Sequence, residues 1–92
     1  MFYNRLGTDL EIEWPITIEG ADDISDLDLT LYVICKRFRK ELPFTIEDNT
    51  LKFTFYGIDQ TVCGKYTLQL IMNESEQGQV ICDHKKAFTL YK

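Results

Sequence analysis

One histidine, three cysteines and a run of acids are the residues of this 92-residue sequence whose types could support chemistry. His84 stands in Cys82-Asp83-His84-Lys85-Lys86, a grouping of imidazole, thiol and carboxylate that invites zinc. A structural zinc site takes about four nitrogen or sulfur ligands, however, and Cys63 and Cys35 lie 19 and 47 positions before Cys82. No metal site is expected, and a turn between the last two strands accounts for His84. Cys63 or Cys82 with His84 as base would make a nucleophile pair. Such a pair needs an orienting third group and loops long enough to enclose a substrate, and neither is evident. Asp22, Asp23, Asp26 and Asp28, in ADDISDLD, offer oxygen ligands to calcium. Their spacing lacks the central glycine and terminal glutamate of an EF-hand loop, so a solvated loop is the simpler reading. No phosphate-binding loop, dinucleotide fingerprint or zinc-protease motif is present. The chain is read as non-catalytic and as needing no cofactor.

Two other features suit binding. Lys36-Arg37-Phe38-Arg39-Lys40 places four positive charges around one aromatic ring. It is short for a nucleic-acid site and reads either as a charged hairpin end that resists aggregation or as a rim patch for an acidic protein. Ahead of the first strand, Phe2, Tyr3 and Leu6 lie in an N-terminal arm, residues 1–8, that either folds back over the domain or meets a neighbour. Together with the outward Tyr32, Ile34 and Ile71, the arm and the basic residues Lys36, Arg37, Phe38 and Arg39 are the candidate interface.

The elements that carry these residues read as strands. From Asp9 to Glu19, Leu10, Ile12, Trp14, Ile16 and Ile18 alternate with polar residues, the period of a strand with one buried face. Pro15 has no N–H for a ladder, which places this strand at an edge or at a bend between sheets. Gly20–Asp26 reads as an acidic loop. A second inward stripe comprises Leu27, Leu29, Leu31, Val33 and Cys35. The basic run is placed at the turn end of a hairpin leading to Leu42, Phe44 and Ile46, and after Glu47-Asp48-Asn49 the next strand turns Leu51, Phe53 and Phe55 inward. The segment from Gly57 to Cys63 is irregular, with room for one helical turn. Gly64 opens a strand with Tyr66, Leu68, Leu70 and Met72 inward; Gln79–Asp83 and Ala87–Tyr91 close the chain as two further strands.

About seven short strands, no helical period and no internal repeat predict a single domain over residues 1–92: an all-β, immunoglobulin-like sandwich of two antiparallel sheets. Gly64-Lys65-Tyr66 matches a tyrosine corner, in which the ring joins the core and the hydroxyl bonds to backbone upstream. The cysteine pair of antibody domains is absent; Cys35, Cys63 and Cys82 match no disulfide framework and read as reduced, mostly buried side chains.

A net charge of −5 and a pI near 4.7 argue against nucleic acid or an anionic membrane as ligand. The charge is uneven: residues 1–28 carry eight acids against Arg5 alone, and residues 29–92 carry nine bases against seven acids. Solvated strand faces account for this, as does a dipolar surface suited to packing against copies of the chain. The first residues lack the apolar core of a secretory signal, and no run of about 18 apolar residues is available to enter a membrane. The chain is expected to be cytoplasmic when synthesised.

GTDLEIEWPITIEG, the acidic loop with Asp28-Leu29-Thr30-Leu31, the turn before Leu51-Lys52-Phe53, Gly64-Lys65-Tyr66-Thr67-Leu68 and Lys86-Ala87-Phe88-Thr89-Leu90 together resemble the N-terminal sandwich domains of phage tail baseplate proteins. These domains occur in the baseplate upper protein family and in prophage tail proteins of gut Bacteroides. The resemblance implies an adaptor that anchors a fibre or baseplate subunit, packs against copies of itself and other tail proteins, resides in the virion after assembly and contributes no catalytic residues. The chain is expected to be either one domain of a longer subunit or a short stand-alone protein. The alternative is a carbohydrate- or cell-surface-binding sandwich, with Trp14, Tyr32, Tyr56 or Tyr91 stacking on sugar rings.

Overall fold

In the computed structural model the residues described are 2–17, 25, 27–72 and 78–92; the side chains of Phe2, Gln79, Ile81, Cys82 and Lys86 lie outside that description. Alternation becomes strand over most of its length; of the run from Asp9 to Glu19, Leu10–Pro15 is strand, Ile16 and Thr17 are not, and residues 18–19 lie outside the described residues. The strands are β1 (Phe2–Arg5), β2 (Leu10–Pro15), β3 (Leu29–Cys35), β4 (Phe38–Leu42), β5 (Thr45–Glu47), β6 (Thr50–Phe55), β7 (Gly64–Met72) and β8 (Gln79–Tyr91). They form two sheets, ordered β1-β8-β7-β3-β4 and β2-β6-β5. All pairings are antiparallel except β1 with β8. This is the β-sandwich expected, with eight strands among the described residues rather than about seven.

The core is the sum of the inward stripes. Ile12, Trp14 and Ile16 from the first strand and its continuation, Leu31, Val33 and Cys35 from β3, Leu51, Phe53 and Phe55 from β6, Tyr66, Leu68 and Leu70 from β7, and Phe88 and Leu90 from β8 are all buried in one cluster. At its centre the rings of Tyr66 and Phe88 stack with centroids 5.0 Å apart, and Phe55 meets Tyr66 edge-on at 5.6 Å. Such aromatic contacts add about 0.5–1.5 kcal/mol each beyond the area they bury. Ile18 and the acidic residues Asp22, Asp23 and Asp26 fall outside the described residues. Asp28 is exposed.

Three local expectations are corrected. The basic run does not sit wholly in a turn, because Lys36 and Arg37 form the two-residue turn while Phe38, Arg39 and Lys40 belong to β4, which pairs with β3. Leu42 and Ile46 therefore do not share a strand: the chain crosses from the larger sheet to the smaller at Pro43-Phe44, where proline ends β4, and only β5 and β6 form the second hairpin. Gln79–Asp83 and Ala87–Tyr91 are one continuous strand of 13 residues. The break in alternation at 84–87 is a bulge, since Tyr66 pairs with Phe88 but Leu68 pairs with His84. Extra residues absorbed this way bend a strand without ending it. His84 thus lies within a strand, not in a turn.

Pro15 occupies the last position of β2, an edge of the smaller sheet, as a residue without an N–H must. The segment after β6 forms a 3-10 turn, Gly57–Asp59.

Candidate interaction surface

The N-terminal residues fold back on the domain as a strand. Phe2 pairs with Phe88 and Arg5 with Tyr91, and the Leu6 N–H donates to the Tyr91 carbonyl at 2.6 Å. Leu6 is half-buried and packs on the core, whereas Tyr3 points outward and is 70% exposed. Tyr91, 49% exposed, emerges on the same face of the neighbouring strand.

One polar side chain locks this end of the sandwich. Gln60 is 6% exposed; its Oε1 accepts from Gly7 N–H at 2.9 Å, and its Nε2 donates to the carbonyls of Thr8 at 2.8 Å and Phe55 at 2.9 Å. Beside it the Asp9 carboxylate accepts the Gly57 N–H at 2.7 Å. A Cβ on Gly57 would collide with the Gly7 carbonyl, so glycine is required for the two turns to meet this closely. Periodicity gives no sign of Gln60, because its three partners come from two segments joined only by the fold.

The tyrosine corner is present. Tyr66 is fully buried, and its hydroxyl donates to the Val62 carbonyl at 2.5 Å. Burial, with smaller contributions from Cys35 and Cys63, pushes the phenol up to about 12. Cys35 is buried and Cys63 half-buried, both as free thiols, and the Cys35 thiol donates weakly to the Cys63 carbonyl at 3.9 Å. Burial raises the Cys35 pKa; Lys36 opposes that rise and Cys63 adds to it. A buried thiol held in its neutral form is a structural group rather than a nucleophile.

His84 does not meet Cys63. Cys63 precedes Gly64, which pairs with Leu90, while His84 pairs with Leu68 further along β7. The histidine instead packs against Trp14, ring centroids 6.0 Å apart. Both line a cleft of about 90 Å³ between β2 and β8, walled by Ile12, Pro15, Leu68, Ala87 and Phe88, with Glu13 at its rim. Among the described residues no group of three or more His, Cys, Asp or Glu side chains is placed to hold a metal ion.

The basic hairpin divides by the pleat. Phe38 turns inward, half-buried, with ring centroids 6.2 Å from Phe55 and 5.9 Å from Tyr66, so its ring packs on the core rather than standing at the centre of an outer basic patch. Ile71 is also withdrawn, at 7% exposure. Tyr32 and Ile34 are half-buried on the outer face, and the Arg39 guanidinium lies 3.7 Å over the Tyr32 ring. That cation–π contact ties Arg39 of β4 to the neighbouring strand β3 on the outer face. Lys36 and Arg37 are exposed at the turn, and Lys40 reaches Asp59 at 3.9 Å. At the opposite lateral side, the outer face of the smaller sheet carries Glu11 and Glu13, both exposed, with Lys52 within 3.8 Å of Glu13 and 3.1 Å of Glu47.

No family model matches the sequence, and no curated protein matches it. A solved structure does: a chain named "putative glycoside hydrolase" from Bacteroides vulgatus ATCC 8482, with a TM-score of 0.55 and 15% identity. The match covers 99% of this chain and 16% of that one. At this identity the likeness speaks for the fold alone: the whole chain corresponds to one β domain within a much larger protein. No described helix is long and apolar enough to cross a membrane.

Proposed function

We propose that the chain is a non-catalytic assembly module, a β-sandwich that joins protein subunits, and that it serves in a phage or prophage tail baseplate or fibre. One observation carries the assembly reading: the two longest edge strands, β2 and β4, lie at opposite lateral sides of the sandwich, β2 beside β8 and β4 linked directly to β5, with acids on β2 and the basic hairpin turn leading into β4. Glu11 and Glu13 project outward from β2; Arg39 projects outward from β4 beside the acidic Glu41, and Lys36 and Arg37 supply the further positive charge at the turn before it. Open strand edges are templates for pairing with another chain. The tail setting rests on the resemblance of the strand motifs to baseplate domains.

Purified tail particles from the host of this gene test the setting. The chain should co-purify with them in a fixed ratio to known tail subunits; its absence from the particles would contradict the setting. The exposed Tyr3 and Tyr91 favour a second reading, a carbohydrate- or cell-surface-binding module in which the two rings flank a sugar. Trp14, at 8% exposure, takes no part in it. A glycan array gives a flat response if the assembly reading is right and a selective one, lost in Tyr3→Ala and Tyr91→Ala, if the second reading is.

A further inference from the structure

Charge on an edge strand normally prevents association, because like edges repel. Here the two available edges are unlike. In an immunoglobulin-type sandwich the first strand covers the edge of the second, whereas here β1 pairs with β8 and leaves β2 at the margin of its sheet. The other margins are poor templates. The strands β1 and β5 have four and three residues, and the stretch of β8 beyond β1 is interrupted by bulges. The strand β4, five residues long, ends the larger sheet.

We propose that β4 of one copy adds as an antiparallel strand to β2 of a second copy, with Arg39 opposite Glu11 and Arg37 opposite Glu13. This deepens the assembly reading and rests on it. The register satisfies the pleat, and it sets two pairs of opposite charge, Arg39–Glu11 and Arg37–Glu13, against one like pair, Glu41 opposite Asp9, whose carboxylate is already engaged by the Gly57 N–H. It sets outward Arg39 against outward Glu11, and it sets inward Phe38 against inward Ile12, so the core-facing sides of the joined sheets stay continuous. Arg39 lies over the Tyr32 ring on β3, so its pair with Glu11 on the open side exchanges that contact for an ion pair. Glu13 is shared with Lys52, and Glu11 has no ion-pair partner among the described residues. Because donor and acceptor edges are different surfaces on opposite sides, the contact does not close on itself, and copies add head to tail.

Sedimentation velocity on the purified chain tests this. At low salt the chain sediments as a concentration-dependent series of oligomers, and raising the salt to about 0.5 M weakens association roughly tenfold or more, as expected for exposed ion pairs. The variant Arg37→Glu/Arg39→Glu and the variant Glu11→Arg/Glu13→Arg each sediment as monomers, and mixing the two restores association. A wild-type chain that stays monomeric at every concentration overturns the proposal and leaves the tail-particle test unaffected. Self-association indifferent to salt and to both reversals overturns the edge pairing while keeping the assembly reading. Thermal melts of each variant verify folding; should a variant not fold, the salt dependence of the wild type decides alone.

Discussion

The side chain of Gln60 satisfies three backbone groups at once, on Gly7, Thr8 and Phe55, the bond to Phe55 buried and the other two partly so. Replacing it by alanine leaves those groups unpaired, and urea unfolding of Gln60→Ala should show a loss of about 2–3 kcal/mol, since each buried unsatisfied group costs about 1–3 kcal/mol. Tyr66 gives a second residue-scale prediction. Its folded pKa of about 12 lies above the ordinary phenol value, so its contribution to stability is complete below pH about 10 and is lost as pH rises toward 12. Unfolding midpoints of the parent and Tyr66→Phe should therefore converge between those two pH values, with the parent the more stable below them. The two residues differ in how they could be read from sequence. The Gly64-Lys65-Tyr66 motif announces its own geometry, because a tyrosine corner is built within a few residues. Gln60 depends on a contact across 53 positions that no local pattern encodes.

The strands were legible in sequence where the pleat forces strict alternation, as in β2, β3, β6 and β7. They are not legible where the chain switches sheet or absorbs extra residues. Pro43 marks a sheet change between β4 and β5, but nothing in Leu42-Pro43-Phe44 says that the two strands pair with different partners. The consecutive buried residues Ala87 and Phe88 break the alternation as a strand end would, yet the ladder resumes beyond them. The candidate interface suffered from the same ambiguity. Phe38 reads as the centre of a basic patch until the position of the turn is known, and then the pleat sends its ring into the core. At the irregular end, the close approach of the 3-10 turn to Gly7 makes a further prediction. Gly57→Ala meets backbone rather than a movable side chain and should cost about 3 kcal/mol, as overpacking at a rigid contact does. A denaturation midpoint equal to the parent's would show that the two turns are not held together as described.

At the scale of the whole molecule, the uneven charge visible in the sequence acquires a direction. The acids of the first 28 residues include the two on β2, and the bases include the cluster at the turn into β4; the packing of Trp14 on His84 of β8 and the short link from β4 to β5 then place β2 and β4 at opposite sides. The imbalance was countable from composition. The order of strands in the sheets, which decides whether charges of opposite sign face each other or face away, is set by pairings between distant segments. On the proposed assembly reading, an open edge on each side lets the domain act as a connector, and the same open edges with like charges on both would keep it monomeric. Hydrogen–deuterium exchange measured at low and high protein concentration tests this most directly, because it reads backbone amides strand by strand. The account predicts that protection rises with concentration in Leu10–Trp14 and Phe38–Leu42 and stays constant in β6 and β7. Protection that is unchanged in both edge strands while the chain associates, or that appears elsewhere instead, would contradict it.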